Sequence, residues 1–323
     1  MTQDITDRQA ADRLLAADDI LLLAHQYPDG DTLGSSYALC LALRSMGKRV
    51  RVLCGDPIPE KYDYMTAHVD MPDFEPAYIC AVDVADSTLL GPAVQTAYGH
   101  RVDLCIDHHS TNVGYADYSC VDGGSAAAAM IVLRIIRHLN VELTPAIATC
   151  LYTAIATDTG CFKYSNADAE AHRMAADCME VGIPYEMINR VNFDMKSRAR
   201  IELERMALDG MEFHHDGRVA VMTITNEMVA QSGAGENDME GLPPIPRQIE
   251  GVWVGITLRQ KEDGNYKISV RTGHHADATV ICGILGGGGH IRAAGCSVDG
   301  TLEEAKAAIL AATEQAIPRI ITG

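Results

Sequence analysis

The chain has 323 residues, 47% hydrophobic and 22% charged, a balance suited to a globular protein with more than one core. Its formal net charge of −18 argues against a grip on long nucleic acid, where neutralised phosphates supply much of the affinity. A small anionic substrate stays compatible with that charge if metal ions bring positive charge locally. No apolar run is long enough to span a bilayer, and Met1-Thr2-Gln3-Asp4 lacks a basic or apolar leader pattern, so no membrane partner is expected. Ten scattered cysteines without a Cys-x-x-Cys pair read as reduced, mostly buried thiols of a cytoplasmic protein.

Residues 19–24 (DILLLA) are a short apolar run of the kind that forms a buried strand. Residues 34–46 follow with apolar positions at helical spacing, closed by Gly47. Further strands are predicted at 49–54, 78–82 and 102–106, and helices at 125–139 and 145–157. This alternation predicts an α/β fold, a mostly parallel sheet with helices on both faces, whose ligands sit beyond the carboxyl ends of the strands. Residues 188–210 are charged, hold few strong breakers and read as a connecting helix. Beyond them lie predicted strands at 218–225, 252–260 and 266–271, with Asp216-Gly217 and Asp263-Gly264 as hairpin turns. Residues 232–246 read as a loop with a helical turn, and 302–317 as a final helix. The expected organisation is a first domain over 1–187, a helical linker over 188–210 and a smaller α/β domain over 211–323.

Four polar clusters stand at the ends of these core elements. His25-x-x-x-Asp29-x-Asp31 follows the first strand, where an imidazole and two carboxylates can converge on adjacent metal ions; alone, Asp-Gly-Asp would equally serve as a surface turn. Asp83 and Asp86 follow the strand at 78–82, and a carboxylate there costs desolvation unless paired or metal-bound, the alternative being a helix cap. Asp107-His108-His109 ends the strand at 102–106, an acid and imidazole pairing that suits metal binding with an orienting partner. His214-His215 and His274-His275 lack such a buried approach strand and read as ordinary loop residues. Asp158 closes an apolar helix. Hard oxygen donors plus imidazole, with no thiolate, favour manganese or magnesium over structural zinc.

A fifth element is the run Gly286-Gly287-Gly288-Gly289-His290-Ile291-Arg292. Its backbone N–H groups, followed by a segment able to start a helix, can dock an anion; a plain tight turn is the alternative. Arg271, at the end of the strand at 266–271, is a candidate partner for gripping the same anion, or else a surface ion-pair residue.

Taken in order, His25…Asp29-Gly30-Asp31, Asp83, Asp107-His108-His109, Asp158 and the late glycine loop ending in His290 resemble the DHH phosphoesterase superfamily. Within it the chain resembles the nano-RNase and phosphoadenosine-phosphate phosphatase branch, and the likeness extends through Glu240-Gly241-Leu242 and Ile249-Glu250-Gly251. It departs where Gly123-Gly124-Ser125-Ala126-Ala127-Ala128-Ala129 lacks the glutamate that the family often carries in the next helix.

The resemblance implies a catalytic domain and a DHH-associated domain that closes over the substrate. It implies one divalent cation on His25, Asp29 and Asp83, and a second on Asp31, Asp83, His108 and Asp158, with Asp83 bridging. Mn²⁺ is the expected ion, with Mg²⁺ or Co²⁺ as alternatives, and the pair would activate a shared water. Asp107 would orient His108, and His109 would touch the scissile phosphate. Arg271, Gly287, Gly288, Gly289 and His290 would bind the substrate's other phosphate or its terminal nucleotide. The implied substrates are short oligoribonucleotides or 3′-phosphoadenosine 5′-phosphate, and a homodimer is compatible with the family. The competing readings are a cyclic or linear dinucleotide phosphodiesterase and a catalytically silent nucleotide-binding regulator.

Overall fold

The computed structural model describes residues 2–239 and 241–317; Met1, the Glu240 of the family likeness and the end of the expected second domain, 318–323, lie outside the described residues. The chain divides into two compact units, Met1–Met195 and Lys196–Gly323. Among the described residues no helix is long and apolar enough to cross a membrane.

The first unit runs β1 (Gln3–Asp4), α1 (Asp7–Ala16), β2 (Ile20–Ala24), α2 (Gly30–Ser45), β3 (Val50–Cys54), α3 (Asp63–Thr66), β4 (Tyr78–Val82) and α4 (Pro92–Tyr98). It continues through β5 (Leu104–Asp107), β6 (Tyr118–Val121), α5 (Ala128–His138), α6 (Pro145–Asp158), α7 (Ala169–Glu180) and α8 (Tyr185–Asn189). The strands form a parallel sheet in the order β1-β6-β5-β4-β2-β3. Successive strand residues point to opposite faces. Ile20, Leu22, Cys80, Val82, Leu104 and Ile106 therefore enter a core shared with α1, α2, α5, α6 and α7. Leu21, Leu23, Ile79, Ala81 and Cys105 fill a second core on the other face, against Leu90 and Val94. Burial on both faces explains why these strands read as continuous apolar runs.

From β2 the chain moves to β3 at one edge, then crosses back to place β4 on the far side of β2 and β5 and β6 beyond it. The direction of travel reverses between β2 and β4, and an open parallel sheet has a crevice at that point, outside the strand carboxyl ends. His25 follows β2, Asp83 follows β4 and His108 follows β5, all at this end.

Helix α2 begins at Gly30, earlier than the apolar spacing from residue 34 predicts, because the Asp29 carboxylate accepts from the N–H groups of Asp31 and Thr32, both at 3.0 Å. Asp31 consequently lies inside the first turn. Helices α2 and α6 approach closely through glycines one turn apart. A Cβ on Gly34 would meet the Cys150 carbonyl oxygen at 2.4 Å and the Ala154 Cβ at 2.8 Å, and one on Gly30 would overlap the Thr157 side chain. This contact brings Asp31 of α2 and Asp158 of α6 to one place.

The segment 188–210 is not one helix. After α8 a single π-helical turn covers Arg190–Asp194, Met195 is extended, and a new helix, α9 (Arg198–Asp209), starts where Ser197 accepts from Arg200 N–H at 2.9 Å. Leu203 and Ala207 of α9 pack with Met222 and Ile224 in the second unit, so the boundary falls inside the expected linker.

The second unit continues with β7 (Glu212–His214), β8 (Val219–Ile224), α10 (Asn226–Ser232), β9 (Val254–Gln260), β10 (Tyr266–Thr272), α11 (Ala278–Ile284), β11 (Gly288–His290), β12 (Ala293–Val298) and α12 (Leu302–Ala316). Its sheet runs β11-β12-β10-β9-β8-β7, antiparallel except between β8 and β9. The residues after the glycine run form a strand, not the start of a helix. Ala294 and Cys296 of β12 are buried against α11 and α12, and β12 fills the sheet beside β10. Gly287 sits so close beneath β12 that a Cβ would lie 2.2 Å from the Gly295 carbonyl oxygen.

The α2–α6 contact leaves no room for a methyl group. Gly34→Ala is expected to destabilise the first unit by about 1–3 kcal/mol, the usual cost of overpacking, seen as a lowered urea midpoint.

Candidate active site

The crevice between β2 and β4 gathers His25, Asp29, Asp31, Asp83, His108 and Asp158, the six residues that the sequence singled out as metal ligands. Two sets have donor atoms mutually within 4.8 Å: His25, Asp29 and Asp83, and Asp31, His108 and Asp158. His25 Nε2 lies 3.7 Å from Asp29 Oδ1 and 3.6 Å from Asp83 Oδ2. His108 Nε2 lies 3.7 Å from Asp31 Oδ2, 3.5 Å from Asp83 Oδ1 and 3.6 Å from Asp158 Oδ2. These separations are long for hydrogen bonds but near the ~3.4 Å expected between two donors each ~2.1 Å from one cation at a tetrahedral angle. Asp83 turns a different oxygen toward each set. Its Oδ1 is buried and has no hydrogen-bond partner, a costly state that a cation would relieve. The donor set therefore fits divalent cations.

Backbone carbonyls aim both imidazoles. His25 Nδ1 is 2.7 Å from the Gln26 carbonyl oxygen and His108 Nδ1 is 3.2 Å from that of Ser125. A carbonyl only accepts, so each ring donates from Nδ1 and turns Nε2 toward the carboxylates. Asp31 accepts from the N–H groups of Ala128 and Ala129 at 2.6 and 3.1 Å and from Ser35 Oγ at 2.7 Å. It thereby caps α5 from another helix, a role that α5's own flanking residue, Ala127, cannot fill.

Asp107 departs from its expected role. Its Oδ1 accepts from His109 Nδ1 at 2.7 Å and from the His108 backbone N–H at 2.8 Å, and its Oδ2 accepts from Asn112 Nδ2 at 2.7 Å. Asp107 thus orients the ring of His109, while His108 is held by the Ser125 carbonyl. The Asp83, His108, His109 grouping also has donors within 4.8 Å, but His109 Nδ1, 3.6 Å from Asp83 Oδ1, is bonded to Asp107. Asp86 takes the capping alternative and accepts from Thr88 N–H at 2.8 Å.

Sequence reading missed the residues that act through the backbone. Arg134 donates to Asp7 Oδ2 at 2.6 Å, Asp122 Oδ2 at 2.8 Å and Ser125 Oγ at 3.2 Å, clamping the loop whose Ser125 carbonyl orients His108. Asn166 Nδ2 joins the carbonyls of Ala126 and Asp158 at 3.2 and 3.1 Å. Nothing in a linear motif marks these groups, since their partners lie on other elements.

Burial sets the electrostatics. It pushes Asp83 well above the usual carboxylate range, with the Asp31 and Asp29 charges adding to the effect. Asp31 is raised by burial, and Asp158 is pushed up to about 8 by burial and then by Asp31 and Asp29. Burial also works on Asp107, but the hydrogen bonds from His109 and Asn112 outweigh it and hold the carboxyl low. The Asp107 hydrogen bond lifts His109 to about 9.

In the second unit, Arg271 of β10 pairs with Ala293 of β12, which pairs in turn with His290 of β11. Directly opposed residues of antiparallel strands share a face, so Arg271 and His290 stand on the same side of the sheet, with β12 between them. Gly288 and Gly289 lie on the exposed edge strand with His290. His214 and His215 stand near Glu212 and Glu314, at 3.6 and 3.3 Å, and His275 stacks on Trp253 at 4.5 Å.

The model of the DHH family, N-terminal domain, matches residues 19–155, and that of the DHHA1 domain matches residues 216–318. The chain belongs to the DHH family and is a metal-dependent phosphoesterase. It is 33% identical to the bifunctional oligoribonuclease and PAP phosphatase NrnA of Thermus thermophilus, over 93% of this chain and 90% of that protein. It is 23% identical to the probable NrnA of Streptococcus mutans, over 88% and 91% of the two chains. Among solved structures it resembles an exopolyphosphatase-related protein of Bacteroides fragilis, with a TM-score of 0.88, 25% identity and 97% of each chain covered. RecJ of Thermus thermophilus, solved with Mn²⁺, shares the fold at a TM-score of 0.56 and 14% identity, over 97% of this chain and 55% of RecJ.

The raised carboxylates set a pH dependence for the metal-free protein. A group whose pKa is higher in the folded state stabilises most below its unfolded value and loses that contribution as pH rises through the folded value. For Asp158 that window runs from 3.8 to about 8. His109, raised from 6.5 to about 9, acts in the same sense at higher pH. In chelator the melting temperature should fall as pH rises from 5 to 8, and a divalent cation should restore most of the loss at pH 8.

Proposed function

We propose that this chain hydrolyses the phosphate esters of short oligoribonucleotides and of 3′-phosphoadenosine 5′-phosphate in the cytoplasm, with two divalent cations and Mn²⁺ as the preferred ion. The observation that carries the reading is Asp83, whose two oxygens face the two donor sets on opposite sides. In this assignment His25, Asp29 and Asp83 hold one ion, and Asp31, Asp83, His108 and Asp158 hold the other. The substrate class rests on the likeness to the Thermus thermophilus protein, which spans nearly the whole of both chains. The −18 charge supports small substrates over long RNA.

Bound there, the cations would offset the carboxylate charge, acidify water and polarise a phosphate. The chain's own residues supply the rest. His109 is part-exposed, and the Asp107 hydrogen bond on Nδ1 favours its protonated form. Its Nε2–H is then available to donate to a phosphate oxygen or to the leaving oxygen. Asp107 keeps that ring in one orientation, and Asn112 keeps Asp107 in place. Arg271, His290 and the backbone of Gly287, Gly288 and Gly289 bind a second phosphate or the terminal nucleotide. Arg271 and His290 facing the same way supports that pairing.

With Mn²⁺, the protein should rapidly hydrolyse a linear dinucleotide and phosphoadenosine phosphate, leaving a long RNA and pyrophosphate nearly untouched. Dominant turnover of a cyclic dinucleotide would move the protein to signalling chemistry, and metal binding without any turnover would favour a silent regulator. Asp83→Ala should abolish nearly all hydrolysis while the circular dichroism spectrum stays unchanged; near-normal rates would remove the metal assignment. Asp107→Asn weakens the support that holds His109 near 9, so the alkaline limb of kcat against pH should move to lower pH.

A further inference from the structure

Among the described residues, positive φ at non-glycine positions occurs at Asp19, Tyr27, Asp83, Asn140, Cys161, Phe162, His215 and Asp216. Asp, Asn and His adopt this left-handed conformation at modest cost, but a bulky aromatic residue does so only under constraint. Phe162 has compensation, because its ring stacks on His172 at 5.0 Å and its N–H reaches Thr159 Oγ1 at 3.1 Å. Tyr27 has little. With φ at 57° its side chain is 79% exposed, so packing returns almost nothing for the strain.

The strain sits at a particular place. Tyr27 lies between His25 and Asp29, whose Nε2 and Oδ1 stand 3.7 Å apart in one of the donor sets. Its N–H is pinned to Asp56 Oδ2 at 3.0 Å, and the preceding Gln26 N–H is bonded to the Leu89 carbonyl at 2.7 Å. The chain reversal between the two donors requires a left-handed residue, and glycine or asparagine would supply it more cheaply. An exposed aromatic ring, rooted in a segment pinned by these two hydrogen bonds between two donors of a phosphoesterase centre, gains its return from a ligand instead.

We propose that Tyr27 is a specificity-determining residue on whose ring a nucleobase of the substrate stacks, an inference that rests on the nucleotide-hydrolysing reading above. Stacking suits this protein, whose acidic surface offers little charge attraction to a nucleotide and whose substrates share a base face whatever their sequence.

The test uses the full chain with Mn²⁺ and compares kcat/KM for a linear dinucleotide with its two singly abasic versions. The wild-type protein should prefer the intact dinucleotide over at least one abasic version. Tyr27→Asn should cut that preference roughly 5- to 100-fold, and Tyr27→Phe should retain it. Because asparagine relieves the strain, Tyr27→Asn should also melt about 2–4 °C higher, which separates lost stacking from a damaged fold. An unchanged preference in Tyr27→Asn, an equal loss in Tyr27→Phe, or a lower melting temperature in Tyr27→Asn would each overturn the proposal. Failure of the wild-type protein to cleave any of the three would instead remove the functional reading, and this inference with it.

Discussion

Asp31, Asp83 and Asp107 are buried side by side at the carboxyl ends of a parallel sheet, with Asp158 at their rim. Removing a carboxylate from water costs several kcal/mol even after relaxation, and neighbouring like charges add to the cost. Each of these groups is met differently. Asp31 takes two amides at the start of α5, Asp107 takes His109 and Asn112, and Asp83 has an oxygen with no partner at all. Asp83 is the residue whose burial the protein alone does not compensate, and the surrounding donors are arranged about it.

The scaffold meets that demand with stiff parts. The β2–β4 reversal opens the crevice, and the glycines of α2 let α6 close in until Asp31 and Asp158 both reach His108. Asp83 itself is left-handed, with φ at 62°, and its N–H is bonded to the Ile106 carbonyl at 2.8 Å, so the turn that carries it is fastened to the next strand. The imidazoles are aimed by carbonyls, and the loop that provides one of those carbonyls is clamped by Arg134. Metal sites of this kind depend on such outer partners nearly as much as on the ligands themselves.

Four of the six strands of the first unit were legible, because a buried strand of a parallel sheet is a short apolar run; β1, exposed and two residues long, and β6, with an exposed end and a serine inside, carry no such run and were missed. The polar clusters were legible for the same reason: His25, Asp83 and Asp107 break such runs where the chain emerges. Helix boundaries were less so. The Asp29 cap moved the start of α2 to Gly30, and the stretch read as one linker helix breaks at Met195, where the second unit takes Leu203 and Ala207 into its own core. The strand after the glycine run was hidden because alanine and glycine carry weak strand preference, and pairing with β10 decides its conformation.

The sequence by itself determined the class of chemistry, since the order and types of the acidic and imidazole residues define a hard-donor metal centre wherever the strands end. Only the tertiary structure decided which donors meet. The hold of the Ser125 carbonyl on the His108 ring, which leaves the His109 ring to Asp107, the division of Asp83 between two donor sets, and the pinning of Tyr27 to Asp56 all depend on distances between residues apart in the chain. Motif spacing records neighbours along the backbone, whereas hydrogen bonds, ligand geometry and strain are set by neighbours in space.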